Sequence, residues 1–193
     1  ILQIIFASQM SFITLLIWNQ ERYRSLAVFF IFQAILSLMN VLEGTHTTSQ
    51  YYLITPVFTL MIGPILYFFI RSIVNDVYLK PKEKGAHFIL AMIALPFTQY
   101  TQTIIALGTL SQVIYLSLSF HLLARYHAAS KAIYSDADRY KLTWLVKTLT
   151  VFTVITVTDL IRMNLQTFTP EIVKGLWYFI NEVIFFSLSC YLA

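Results

Sequence analysis

Apolar runs divide this chain more clearly than any motif does. A helix that crosses a bilayer needs about 20 mainly apolar residues, with a range of roughly 17–25. Seven stretches meet that pattern: residues 1–18, 26–42, 52–74, 86–100, 104–124, 142–165 and 172–193. The third, from Tyr52 to Val74, is the strongest. The fourth is short and carries Pro96, and only Gln99, Tyr100, Thr101, Gln102 and Thr103 part it from the fifth. The runs are too long for the alternating strands of about 9–11 residues that build a barrel. The expected fold class is all-α: a single domain, residues 1–193, forming a polytopic transmembrane bundle of seven helices.

The polar residues between the runs predict an orientation. Arg22 and Arg24 lie between the first and second runs. Arg71, Lys80, Lys82 and Lys84 lie around the third connection, and Arg125, Lys131, Arg139 and Lys141 around the fifth. These ten basic residues share one side. The opposite side has only Arg162 and Lys174, at the edges of the last connection. Basic loops face the cytoplasm, so the N-terminus is expected outside and the C-terminus cytoplasmic. Punctuation fits. Pro81 stands in the third connection, where a helix should stop. Ser135-Asp136-Ala137-Asp138 can cap a helix entering the sixth run, and Thr169-Pro170-Glu171 reads as a helix start.

Composition agrees with a lipid solvent. The chain is 58% hydrophobic and 11% charged, with a mean hydropathy of +0.71, whereas an average soluble domain is about 25% charged. The net charge of +4 does not indicate a nucleic-acid surface, because the basic residues sit in short loops between apolar runs. Cys190 is the only cysteine, which excludes an internal disulfide and zinc sites with several Cys ligands. There is no phosphate-cradling Gly loop, no HExxH and no supported Ser/His/Asp set. No catalytic residue, cofactor or metal site is therefore expected. The only lysine of the last run is Lys174, at its outer edge, which argues against a retinal Schiff base. Ile1 at the start, and an apolar run that reaches Ala193, lead to the expectation that the natural protein extends at both ends. Ile1 to Trp18 has no basic segment before it and does not read as a signal peptide.

Ionisable groups inside a span are costly, so they are the first candidates for function. Glu182 lies about 15 Å into the seventh run at 1.5 Å per residue, with Asn181 before it. The acid either meets a ligand or proton, or is hydrogen-bonded between helices. Asp159 and Arg162, three apart on the sixth run, share a helix face. With Asn40, Glu43 and His46 at the outer end of the second run, they are expected to line a pocket open to the outside. The plainer reading is that Arg162 snorkels and Asp159 satisfies it. Gly63 and Pro64 interrupt the third run and offer a hinge, or merely a fixed bend. Lys147, His121 and His127 read as interface residues, and Tyr51, Tyr52, Tyr100, Trp144, Trp177 and Tyr178 as an aromatic belt.

Several strings carry a resemblance. They are Gly63-Pro64-Ile65-Leu66-Tyr67-Phe68-Phe69-Ile70-Arg71-Ser72, Lys84-Gly85-Ala86-His87-Phe88-Ile89-Leu90, Ser111-Gln112-Val113-Ile114-Tyr115-Leu116 running to Leu122-Leu123-Ala124-Arg125-Tyr126-His127, and Tyr140-Lys141-Leu142-Thr143-Trp144-Leu145. Their order and spacing, over roughly residues 55–150, resemble the N-terminal membrane domain of bacterial AraC/XylS-type transcriptional regulators. The resemblance implies a sensor in the bacterial inner membrane. It would receive a small-molecule, lipid or protein signal, work as a homodimer, and touch DNA only through a helix-turn-helix domain expected after Ala193. Two other readings compete: a small transporter or channel with Glu182 as its coupling site, and the sensor of a histidine kinase or cyclase. An intramembrane enzyme ranks last, since no nucleophile–base or metal motif stands out.

Overall fold

In the computed structural model the described residues are 2–45, 47, 53–74, 81–133, 142–165 and 170–192. They are almost wholly helical, with no strand among them. In chain order they form α1 (Leu2–Ile17), a 3-10 turn (Glu21–Tyr23), α2 (Arg24–Gly44), α3 (Thr55–Val74), α4 (Pro81–Ala86), α5 (Ile89–Ala94), a second 3-10 turn (Leu95–Phe97), α6 (Thr101–Ile133), α7 (Thr143–Leu165) and α8 (Glu171–Leu192). Four helices, α2, α3, α6 and α7, are long and apolar enough to cross a membrane. Three shorter apolar stretches accompany them: Leu2–Ile17, Lys84–Phe97 and Gly175–Leu188. Outward faces carry Leu15, Met92 and Phe12, each more than 60% exposed, a pattern that water penalises and lipid does not.

Helix stands in each of the seven predicted runs, but the fourth and fifth differ from expectation. Pro81 does not stop a helix; it starts α4, because proline lacks only a donor that the first turn leaves unpaired anyway. The fourth run is broken into α4, α5 and the 3-10 turn holding Pro96. The polar break is also shorter than predicted. Thr101, Gln102 and Thr103 lie inside the first turn of α6, where Thr101 Oγ1 donates to the Thr98 carbonyl at 3.0 Å. Short polar side chains here finish a helix end instead of filling a loop. At its other end α6 runs past Ala124 to Ile133, so Arg125 and Lys131 sit on helix and not in a loop. Its 33 residues make a rod of about 50 Å, longer than the ~30 Å hydrocarbon core. The proposed cap at Ser135 to Asp138 lies outside the described residues.

The chain divides into two compact units, one reaching Tyr115 and one of residues Leu116–Leu192. In the first, α1 and α2 form a hairpin. Phe6, Met10, Ile13 and Ile17 are buried at helical spacing on α1, and Leu26, Ala27, Phe30 and Ala34 on α2. Phe29 stacks on Phe69 with centroids 6.4 Å apart, and Phe32 meets Phe58 at 5.1 Å, which ties α2 to α3.

α3 and α6 meet through glycines. A Cβ on Gly63 would lie 3.1 Å from the Tyr115 Cβ and 3.3 Å from the Gln112 Cα, and one on Gly108 would run into the Thr59 side chain. Such small residues let membrane helices approach closely. Pro64 lies inside α3, and its missing N–H frees the carbonyl of Leu60 four residues earlier. Ser111 Oγ donates to that carbonyl at 3.4 Å. Next to it, Gln112 Nε2 donates to the Thr59 carbonyl at 2.9 Å. Ser111 thus serves the carbonyl that proline freed, and Gln112 reaches its neighbour.

In the second unit α7 and α8 pack as a hairpin. Leu145, Leu149, Phe152, Thr156 and Leu160 make the buried stripe of α7, and Phe152 meets Phe185 of α8 edge-on at 5.8 Å.

Candidate functional site

A groove of about 540 Å³ lies between α7 and α8. Its walls are mainly Val151, Val154, Leu176, Trp177, Ile180 and Ile184, and its polar groups are Thr150, Thr158 and Asn181. No charged side chain is among the described lining residues. Asn181 is only 9% exposed. Thr158 Oγ1 lies 3.2 Å from Asn181 Oδ1 and 2.8 Å from the Ile155 carbonyl. A hydroxyl has one proton, so it shares that proton between the amide and its own helix. Asn181 Nδ2 is buried with no hydrogen-bond partner among the described residues. A buried donor in that state is unusual in a folded protein. Chemically, the described walls offer an apolar bed with a buried amide and two hydroxyls.

The structure places the other predicted residues as follows. Asp159 and Arg162 do pair: Arg162 Nε donates to Asp159 Oδ1 at 2.8 Å, and Nη2 reaches the same oxygen at 2.7 Å. Glu43 serves the backbone. Its Oε1 accepts from the N–H of Ile54 at 2.6 Å and of Thr55 at 2.9 Å. These are donors at the start of α3, where helical N–H groups lack internal partners and a negative charge is favoured. Asn40 is half-buried on α2. Glu43 belongs to the first unit and the Asp159–Arg162 pair to the second. Glu182 lies on α8, eleven residues after Glu171, and its side chain is outside those described. His46 lies outside the described residues. Gly63 and Pro64 are buried against α6, and hinge motion there must open the two carbonyl contacts from Ser111 and Gln112.

One cluster escaped the sequence reading. His87, at the corner between α4 and α5, has its Nδ1 2.7 Å from the Tyr115 hydroxyl on α6. Tyr67 of α3 lies beside both rings, at 6.3 and 6.0 Å, and Phe68 meets His87 edge-on at 5.1 Å. Arg71 Nη1 donates to the Tyr67 hydroxyl at 3.4 Å. The arrangement ties the α4–α5 corner to α3 and α6 through the imidazole. Its members are 28 residues apart in the case of His87 and Tyr115, so no local spacing announces them. The one available signal was polar aromatic side chains inside otherwise apolar runs.

No protein-family model matches the chain, and no curated protein and no solved structure does either.

Proposed function

We propose that the chain is the membrane-embedded sensory domain of a one-component transcription regulator in a bacterial inner membrane. In this reading it crosses the bilayer seven times, with its N-terminus outside and its C-terminus cytoplasmic. The four long apolar helices and the three shorter stretches supply the crossings. The ten basic residues on one side supply the orientation. A homodimeric DNA-binding domain of helix-turn-helix type follows the seventh helix, as the resemblance to AraC/XylS-type regulators implies.

The observation that carries the sensing part is the groove at Asn181. It joins α7 to α8, the helix that leads toward the output. A signal shifts such a pair only through different affinity for two packings of it. A ligand that meets the buried amide in one packing and not in the other has that property.

The test is DNA recovery. The full-length protein, cross-linked in living cells and isolated from the membrane fraction, is expected to bring down discrete chromosomal sites. Recovery no more selective than that of an unrelated membrane protein overturns the regulator reading.

A further inference from the structure

Arg71 stands in the last turn of α3. Its half-buried guanidinium makes one hydrogen bond among the described residues, from Nη1 to the Tyr67 hydroxyl at 3.4 Å. Its Nε is buried with no acceptor among them. Every N–H of a guanidinium is a donor in any orientation, so the group has donors to spare and calls for an anion. Three features define that anion.

The first is depth. α3 has 20 residues, about 30 Å of helix, which matches a ~30 Å hydrocarbon core. Arg71 is three residues from its end, about 4.5 Å along the axis. When α3 crosses, this long side chain reaches the level of the lipid headgroups. The second is a further cation. Lys84 is exposed in the last turn of α4, and its carbonyl accepts from the His87 N–H at 3.3 Å. His87 contacts the Tyr115 hydroxyl at 2.7 Å and lies beside Tyr67, the residue that Arg71 touches. These contacts bring both cations to one corner. Arginine offers the fork that fits a phosphate, and lysine a movable point charge. The third is what leads away from the corner. Phe88 meets Phe68, while Ala91 and Ala94 share a buried cluster with Val57 and Leu60. α5 therefore runs back along α3, away from Arg71. Its other side carries Ile89, Leu90, Met92 and Ile93, each at least 45% exposed. A molecule with a phosphate head and acyl chains uses both the cations and this apolar face. A soluble anion uses only the cations.

We infer that the α4–α5 corner binds an anionic phospholipid, with its phosphate on Arg71 and Lys84 and its acyl chains along the outer face of α5. The inference requires α3 to cross the bilayer. It does not require the regulator reading, and the failure of either leaves the other standing.

The full-length protein in neutral-detergent micelles is titrated with phosphatidylglycerol, and the single-lipid adduct is counted by native mass spectrometry. Phosphatidylglycerol is expected to bind about tenfold or more tighter than phosphatidylcholine with the same chains. Arg71→Gln raises the midpoint about tenfold or more, and Lys84→Gln about fivefold. Arg24→Gln, which removes an exposed charge from the start of α2, leaves it unchanged. Helical circular dichroism of the variants is expected to match the parent, and Lys84→Gln, at an exposed position, tests the site if Arg71→Gln misfolds. A parent midpoint in either of the two site variants overturns the inference, as it would if an acid such as Asp76 or Glu83 already held the guanidinium. A loss in Arg24→Gln equal to that in Lys84→Gln also overturns it, because the lipid then reads only overall charge. So does displacement of the lipid by inorganic phosphate at equal concentration, which makes the ligand a soluble anion.

Discussion

Glu43 shows what a single side chain does when sequence and structure place it differently. As an acid at the end of an apolar run it reads as a ligand contact. Its carboxylate instead holds the first donors of α3 across the α2–α3 connection. Glu43→Ala is expected to destabilise the protein by about 1–3 kcal/mol, the range for leaving charged-acceptor bonds unmade. Glu43→Gln keeps a carbonyl acceptor and loses less. Thermal unfolding in detergent checks both, and an unchanged midpoint for Glu43→Ala excludes the capping role. Asp159 serves a side chain instead. It is 38% exposed but Arg162 only 17%, so Asp159→Asn, which leaves the guanidinium without its carboxylate, is expected to lower the unfolding midpoint. Spacing alone made the Asp159–Arg162 contact legible, because three residues on a helix fix the geometry. Glu43's partner lay eleven and twelve residues away across a loop, where no periodicity applies.

At the scale of elements, the sharpest constraint is the α3–α6 contact. Gly108→Val must push into Thr59, and overpacking of this kind costs about 1–3 kcal/mol. Gly63→Leu acts against Tyr115 and Gln112 in the same way. Ser111→Ala with Gln112→Leu strips the two carbonyl contacts, so the pair is expected to lose more than either change alone. Unfolding in detergent of the two single variants and the double measures it; a double variant as stable as the parent refutes the lock. The long apolar helices were legible because lipid demands a continuous run with little ambiguity. The fourth run was less so, since its average hydropathy does not show that Pro96 tightens its end into a 3-10 turn after the short α5. The end of α6 was missed for the opposite reason. Past Ala124 the residues turn polar while remaining good helix formers, so hydropathy stops before the helix does.

For the whole molecule the pending question is topology, and labelling decides it. In a Cys190→Ser background, single substitutions Thr45→Cys, Gln99→Cys and Thr169→Cys are expected to react with an impermeant thiol reagent applied outside intact cells. Gln20→Cys, Glu83→Cys and Ala137→Cys are expected to react only after the membrane is opened. A protected Gln99→Cys means that the α4–α5 segment does not cross, which reduces the count and reverses the side of everything before or after it. Loop charge is a property of the whole chain, which is why the sequence alone predicts an orientation, while contacts between helices depend on how they pack. The groove is the clearest case. Asn181 was a visible candidate, but its burial and its contact with Thr158 emerge only when α7 lies against α8.

Pro64 has one more consequence, and it concerns how the protein is made. The Leu60 carbonyl and the hydroxyl that serves it are 51 residues apart. At about 5–20 residues per second, synthesis reaches Ser111 roughly 3–10 s after Leu60. Until then α3 cannot settle alone in hydrocarbon without an exposed backbone oxygen, a state costing several kcal/mol. Delayed release from the insertion machinery, with α3 held until α6 arrives, is the route that avoids it. Pro64→Ala should let α3 leave early, a difference that cross-linking of stalled nascent chains can time.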